Sequence, residues 1–179
     1  MLNIKFAETE TCETDDWVAG YALTYGQEAE IIISSFDSDF FQLITDKVSV
    51  LRYRGDRTVI CTPDYIKNKF NIEPEQYADF KSLVGDASDN IKGAEKVGPK
   101  TAANLLNQFG TLDNILVNAE RIEKPSIRDS ILRNAERLRI NKKIIKLDNT
   151  STLPFGLNEL AYTFTDVTTT DVLKGIELF

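Results

Sequence analysis

GDASDNIKGAEKVGPKTAANLLNQFG, residues 85–110, is the stretch that decides the fold predicted for this chain. Its second half predicts a helix that begins at Pro99, because proline suits the first helical position, where its missing N–H has no partner to lose. Gly110 fits the end of that helix. The apolar residues between them recur at i, i+3, i+4 and i+7 and so share one helix face: Ala102, Leu105, Leu106 and Phe109.

The turn before this helix predicts a site for an anion such as a phosphate group. Gly98 lets a ligand approach the backbone, and the free N–H groups at the helix start carry the positive end of the helix dipole. Lys96 and Lys100 lie on either side of this turn. The same residues are also compatible with a plain helix cap and a solvated surface, so both interpretations stay open.

Composition sets the limits on function. The chain has 179 residues, of which 42% are hydrophobic and 27% charged, as is usual for a globular protein. Its net charge of −7 argues against binding nucleic acid by overall charge, unless divalent cations reverse the local sign. It contains no histidine, which excludes Ser-His-Asp and Cys-His catalysis and histidine–zinc sites. Cys12 and Cys61 form no disulfide framework, so we expect a reduced, cytoplasmic setting.

The pattern predicts an α/β part over residues 1–74 and a helical part over residues 75–179. The predicted strands are Ile4–Ala7, Ile31–Ser35 (a buried strand), Val48–Tyr53 and Arg57–Thr62, and the predicted helices include Glu13–Tyr25, Pro63–Phe70, Leu112–Val117 and Ser126–Arg139, the last with a Ser126-x-x-Asp129 cap. The end of the chain, residues 163–179, predicts a loop and a terminal helix.

Acidic residues occur in three separate clusters. These are Glu13, Asp15 and Asp16 at a helix start, Asp37 and Asp39 after a strand, and Asp86 and Asp89 in the opening stretch. Strand ends and helix starts share one edge of an open α/β sheet, so we expect the clusters to converge. Converging carboxylates repel one another unless divalent metal neutralises them. Two such ions about 3.5–4 Å apart can hold both reacting oxygens of a phosphodiester. Taken singly, each cluster is also explained by a helix dipole or a capped turn.

Several motifs, taken in order, resemble one family. ETDDWVAGYA, ISSFDSDFFQLI and YADFKSLVGDASDNIKGAEKVGPKTA resemble the bacterial and phage 5′-nuclease family, over roughly residues 4–140. That family includes the 5′–3′ exonuclease domain of bacterial DNA polymerase I and stand-alone flap endonucleases. The resemblance implies a PIN-like α/β nuclease core followed by a helix-three-turn-helix DNA-binding region, with a helix-hairpin-helix motif at about residues 85–110.

The resemblance also implies roles for individual residues. The metal ligands would be Glu13, Asp15, Asp16, Asp37, Asp39, Asp86 and Asp89, with Asp15, Asp37 and Asp39 as catalytic residues. Glu13 and Asp15 would lie nearest the first of two Mg²⁺ or Mn²⁺ ions, and the acids from Asp37 onward would surround the second. The DNA contacts would be Gly93, Lys96, Gly98, Lys100 and Thr101, at a hairpin where family members often hold a K⁺ ion. The implied reaction is hydrolysis of DNA by metal-activated water near a 5′ end or flap junction.

One departure from the family pattern concerns the segment before Glu13. Family members carry two further aspartates and a basic helical arch upstream of this motif, whereas Glu13 follows Met1 by only twelve residues. We therefore expect a fragment, or a chain completed by another polypeptide, with an incomplete first metal site and weak cleavage.

Four alternatives remain at this stage. The chain could be a non-catalytic DNA-binding module that keeps the hairpin, or a PIN-type ribonuclease with the same acids. A phosphatase with Asp37 as nucleophile would leave Asp86 and Asp89 unexplained. A purely structural protein would not explain why each acidic cluster lies where the family has its ligands.

Overall fold

A computed structural model describes residues 5–162 and 168–175 of the chain. In the described part, the strands are β1 (Ile31–Ser34), β2 (Val48–Arg52), β3 (Val59–Cys61), β4 (Gly85–Asp86) and β5 (Ile91–Lys92). The helices are α1 (Thr14–Tyr25), α2 (Pro63–Phe70), α3 (Tyr77–Val84), α4 (Pro99–Phe109), α5 (Leu112–Val117), α6 (Pro125–Arg133), α7 (Ala135–Ile145) and α8 (Thr169–Gly175). Among these described helices, none is long and apolar enough to cross a membrane.

A small sheet forms the first part of the fold. β1 pairs with β2 in parallel, and β2 pairs with β3 in antiparallel orientation, so β2 lies in the middle. Alternate side chains point to opposite faces of a sheet. Ile33, Val50 and Cys61 are buried on one face, against the core. Ile32 belongs to the other face and is 62% exposed.

Two strand predictions need correction. The strand predicted at residues 31–35 ends at Ser34 and is buried only at Ile33, because β1 lies at the edge of the described sheet and its other face is open to solvent. The strand predicted at residues 4–7 is wrong for Lys5–Ala7, which have no strand structure. An alternating segment becomes a strand only when a neighbouring backbone pairs with it. Ile4 lies outside the described residues.

The helix predicted over residues 126–139 is two helices in the structure. The first, α6, has Lys124 as its N-cap residue, so the predicted Ser126 cap does not form. The chain leaves the helical conformation at Asn134, whose side-chain amide donates to the carbonyl oxygen of Ser130 at 2.7 Å and to Glu95 Oε2 at 2.5 Å. Hydrogen bonds of this kind compete with a continuous helix. The predicted apolar stripe is nevertheless buried: Ile127, Ile131 and Leu138.

The helical part packs around α3, which contacts α4 and α7. Its helix α4 has the predicted bounds, with Gly98 and Gly110 as its caps. A buried carboxylate, Asp79, joins three of these helices, since its Oδ2 accepts the N–H of Leu112 at 2.8 Å and its Oδ1 pairs with Lys142 at 2.9 Å. The terminal helix predicted within residues 163–179 is present as α8, while residues 163–167 and 176–179 lie outside the described residues.

Candidate functional site

The first two acidic clusters lie close together. Asp15 is in the first turn of α1, while Asp37 and Asp39 follow β1. Burial raises the pKa of Asp15, and the negative charges of Asp37, Glu13 and Asp39 raise it further. Charges act in this way only over short distances in salt water. The two clusters are therefore near enough for their charges to interact.

The third cluster joins them through Asp39. Burial raises the pKa of Asp39, Lys81 opposes that shift, and the charges of Asp37 and Asp89 add to it. Asp86, at the end of β4, accepts from the backbone N–H of Ser88 at 2.9 Å and from its hydroxyl at 2.5 Å. Burial works against ionisation of Asp86, but hydrogen bonds from Lys81 and Ser88 outweigh it and hold its pKa well below the usual range.

Lys81 is the residue of this site that the sequence prediction missed. It lies in α3 with its side chain only 7% exposed, and its ammonium forms salt bridges with Asp39 Oδ1 and Asp86 Oδ2. Asp89 Oδ2 lies 3.8 Å from the same nitrogen. Burial lowers the pKa of Lys81, yet the two close carboxylates outweigh it and the pKa is raised. One feature of the sequence could have identified Lys81 as part of the site. It follows Tyr77 by four residues and so lies on the apolar face of a helix that leads directly to Asp86.

The remaining predicted metal ligands lie nearer to solvent. Glu13 is the N-cap residue of α1 and is exposed, although its charge acts on Asp15. Asp16 Oδ1 accepts the backbone N–H of Asp148 at 2.9 Å, which ties the start of α1 to a segment that sequence reasoning did not include. Asp37 is exposed, and its Oδ1 accepts the backbone N–H of Asp39 at 2.8 Å. The capped turn expected from Asp-Ser-Asp is thus present beside the cluster.

The chemistry of these acids fits a divalent cation, with one qualification. Carboxylate oxygens are the donors that Mg²⁺ and Mn²⁺ prefer. In the described part of the chain, however, no three acidic or cysteine side chains lie close enough to hold one ion as they stand. The ammonium of Lys81 lies between Asp39 and Asp86 and is itself the cation that they share. These carboxylates therefore have the donor chemistry of a divalent-cation site, with the Lys81 ammonium between them.

The β4–β5 hairpin packs tightly on the end of α3, and this packing requires two glycines. Gly85 has a φ of 89°, a region that favours glycine, and a Cβ there would lie 2.5 Å from the nitrogen of Gly93. A Cβ on Gly93 would lie 2.3 Å from the carbonyl oxygen of Leu83. Gly93 was predicted as a DNA contact, and the structure adds a packing reason for a glycine at this position.

Helix α7 fixes the hairpin from the other side. The guanidinium of Arg137 donates to the carbonyl oxygen of Gly93 at 2.8 Å. The buried amide of Asn141 donates to the carbonyl oxygens of Lys92, at 2.9 Å, and Ser82, at 3.1 Å. An open cleft of about 650 Å³ lies beside this hairpin and is lined by residues that include Asp86, Lys92 and Arg137. The acidic cluster and the hairpin are therefore neighbouring parts of one surface.

The start of α4 is open, as a ligand site would need. Gly98 has an extended backbone, and no described heavy atom lies within 4 Å of the position that a Cβ would take there. No side chain of the described residues caps the first-turn N–H groups of this helix. Lys96, with a φ of 65°, and Lys100 are exposed beside it, and Thr101 is half-buried. Their contact with DNA stays a prediction.

Family models match nearly the whole chain. Residues 1–71 match the model described as the 5′–3′ exonuclease N-terminal resolvase-like domain, and residues 72–168 match the 5′–3′ exonuclease C-terminal SAM fold.

The chain belongs to the 5′–3′ exonuclease family.

Individual relatives agree with this assignment. The thermostable DNA polymerase I of Thermus thermophilus is 35% identical over 148 residues, which cover 82% of this chain and 17% of the polymerase. A 5′–3′ exonuclease of Buchnera aphidicola is 33% identical over 156 residues, which cover 82% of this chain and 54% of that protein. The flap endonuclease of bacteriophage T5, in a complex with DNA and metal ions, has a TM-score of 0.64 and 25% identity, with 74% of this chain and 49% of the endonuclease covered.

Two sequence predictions are thereby confirmed. The resemblance to the 5′-nuclease family is borne out, and so is the fold class, an α/β part followed by a helical part. The chain spans about half the length of the exonuclease relative and a smaller share of the polymerase.

Proposed function

We propose that this chain binds DNA at a 5′ end or flap junction and hydrolyses a phosphodiester bond there with divalent metal ions. One observation carries the proposal: Asp39 and Asp86, which are far apart in sequence, share the ammonium of Lys81. The charges of Asp37 and Asp39 also act on Asp15. Acids from three segments thus face a single region, and such a cluster is costly to a fold unless cations bind there.

Each acid has a role in this proposal. Glu13, Asp15 and Asp16 would hold one Mg²⁺ or Mn²⁺ ion, while the acids after β1 and in the β4–β5 hairpin (Asp37, Asp39, Asp86 and Asp89) would hold the other. When bound, these metals supply Lewis acidity and lower the pKa of a bound water. Local hydrogen bonds orient two of the carboxylates, since the N–H of Asp39 fixes Asp37 and the N–H of Ser88 fixes Asp86.

The proposed DNA contact lies at the hairpin and the start of α4. The first-turn N–H groups would donate hydrogen bonds to a backbone phosphate at the open surface beside Gly98, with Lys96, Lys100 and Thr101 next to it. Contacts to phosphates position DNA without reading its sequence. Because the chain carries a net charge of −7, binding would depend on this local site and on bound metal rather than on overall charge.

Two further parts of the proposal concern ions and location. The carbonyl oxygens of Lys92 and Gly93 already accept hydrogen bonds from α7, so a K⁺ ion at the hairpin would need other carbonyls. Comparing DNA affinity in K⁺ and Na⁺ buffers tests for that ion. A cytoplasmic location is consistent with Cys12 and Cys61, which are both free in the described part of the chain.

The deciding experiment uses the full 179-residue chain with a labelled 5′-flap DNA. We expect cleavage that requires Mg²⁺ or Mn²⁺ and stops with a chelator. Asp37→Ala should abolish cleavage, yet leave DNA binding in Ca²⁺ unchanged or tighter, because it removes a negative charge facing the DNA. Cleavage that continues in excess chelator would contradict the proposed metal dependence.

Other outcomes separate the alternatives. Tight DNA binding with no cleavage under any metal would favour the non-catalytic binding module. Cleavage of an RNA substrate in preference to the DNA flap would favour a ribonuclease. Cleavage that persists in Asp37→Ala would contradict the role given to this carboxylate.

A further inference from the structure

The buried lysine at the centre of the acidic site has an unusual position. Its ammonium contacts Asp39 and Asp86 and lies 3.8 Å from Asp89, three of the residues proposed to bind a metal ion. A buried charge is tolerated only when opposite charges surround it. The opposite charges around Lys81 are the same carboxylates that a metal ion would need.

The lysine and a metal ion exclude each other on electrostatic grounds. A divalent ion bound to Asp39 Oδ1 and Asp86 Oδ2 would lie about 2–2.5 Å from each oxygen. Since the ammonium hydrogen-bonds to those same oxygens, the two cations would be in close contact. At such short range inside a protein, repulsion between positive charges is large.

We propose that Lys81 is a tethered cation that occupies the second metal position and is displaced when a divalent ion binds. This inference rests on the proposed function, but it concerns metal affinity rather than cleavage. Without metal, Lys81 neutralises and holds together carboxylates that would otherwise repel. With metal, the lysine leaves, and the free energy of breaking its two salt bridges weakens metal binding by the same amount.

Displacement would carry the ammonium toward the solvent side of the cluster. Asp89 is exposed and lies on the solvent side of the cluster, near the same ammonium. The four-carbon stem of lysine is flexible, so a rotation of Lys81 toward solvent, past Asp89, would release Asp39 and Asp86.

Lys142 provides the matched comparison. It also lies between two carboxylates, Asp79 at 2.9 Å and Asp113 at 2.8 Å, with its side chain 24% exposed. That pair joins α3, α5 and α7 and is separate from the acidic cluster. Replacing Lys142 therefore removes a lysine bridge of the same kind without touching the proposed metal site.

Calorimetric titration of Mn²⁺ into the full chain tests the proposal. Lys81→Met should bind Mn²⁺ at least tenfold more tightly than the unaltered chain, because the competing cation is gone. The Mn²⁺ affinity of Lys142→Met should lie within twofold of that of the unaltered chain. Lys81→Arg should bind Mn²⁺ no more tightly than the unaltered chain does. If Lys81→Met binds Mn²⁺ equally or more weakly while the unaltered chain does bind it, the tethered-cation proposal fails and the proposed function stands. If none of the proteins binds Mn²⁺, the tethered-cation proposal and the proposed function both fail.

A second measurement uses the unaltered chain and so does not depend on the folding of a variant. Acetylation of lysines, followed by mass spectrometry, reports how accessible each ammonium is. Saturating Mg²⁺ should raise the labelling rate of Lys81 at least tenfold over the rate with a chelator. Lys67, which is 61% exposed, serves as the reference and should not change. A Lys81 that stays protected under saturating Mg²⁺ would overturn the proposal.

Discussion

Replacing Gly93 by alanine is the sharpest test of how the hairpin is built. The new Cβ would lie 2.3 Å from the carbonyl oxygen of Leu83, and 2.3 and 2.4 Å from the carbonyl carbon and oxygen of Val84. All three are backbone atoms, so no side-chain rotation can relieve the clash. The β4–β5 hairpin must move away from α3, which also weakens the 2.9 Å hydrogen bond from the N–H of Ala94 to Leu83.

The size of this effect follows from the contacts. Overpacking a tight interior typically costs about 1–3 kcal/mol, and a clash with backbone belongs at the upper end of that range. We therefore expect Gly93→Ala to lower the free energy of unfolding by about 3 kcal/mol. With a urea m-value of about 2 kcal/mol per molar, the unfolding midpoint should fall by about 1.5 M.

Gly98→Ala is the matched control within the same motif. Gly98 has a φ of −85°, and the position of its Cβ is free of described atoms within 4 Å, so alanine should change stability by less than about 0.5 kcal/mol. If Gly98 forms part of the phosphate site, the same variant should still weaken DNA binding, measured by fluorescence anisotropy. Equal stability of Gly93→Ala and the unaltered chain, or clear destabilisation by Gly98→Ala, would refute this reasoning.

Two further predictions concern charged groups in the helical part. Asp79→Ala should lower the free energy of unfolding by about 2–3 kcal/mol, since it leaves a buried backbone N–H without its acceptor and removes one partner of Lys142. Asp113→Ala removes the exposed partner of the same lysine and should cost under about 1 kcal/mol, so equal effects of the two in urea titrations would count against the prediction. Hydrogen bonds, led by that from Asn134, lower the pKa of Glu95 from 4.5 to about 2. A lowered carboxylate pKa stabilises the fold above pH 4.5, and this stabilisation is lost as the pH falls toward 2. Between about pH 6 and pH 3, the free energy of unfolding should therefore fall less for Glu95→Gln than for the unaltered chain. Identical losses in urea titrations at the two pH values would contradict the lowered pKa of Glu95.

The parts of the fold that local signals specify could be predicted from the sequence. Pro99 and Gly110 mark the two ends of α4, and the structure has the helix between them. The predicted elements put the acidic clusters at a helix start, after a strand and beside the hairpin, and in the structure their charges interact. Such signals depend on neighbouring residues alone, which is why they could be recognised without the fold.

Features that depend on distant contacts could not be predicted. The break at Asn134 depends on its hydrogen bond to Glu95, almost forty residues earlier in the chain. The exposure of Ile32 depends on what covers the second face of the sheet, which its own strand does not reveal. Lys81 belongs to the acidic site only because α3 directs it between Asp39 and Asp86. In a sequence, a lysine in a helix more often indicates a solvated surface.

Anomalous diffraction from crystals soaked in Mn²⁺ tests the central claim most directly, because it gives the position of each ion. We expect one strong peak about 2–2.5 Å from carboxylate oxygens of Asp39 and Asp86, with the Lys81 ammonium moved away. A second peak beside Glu13 and Asp15 would mark the other proposed ion. Mn²⁺ bound elsewhere on the chain, with Lys81 still between its two carboxylates, would contradict the account.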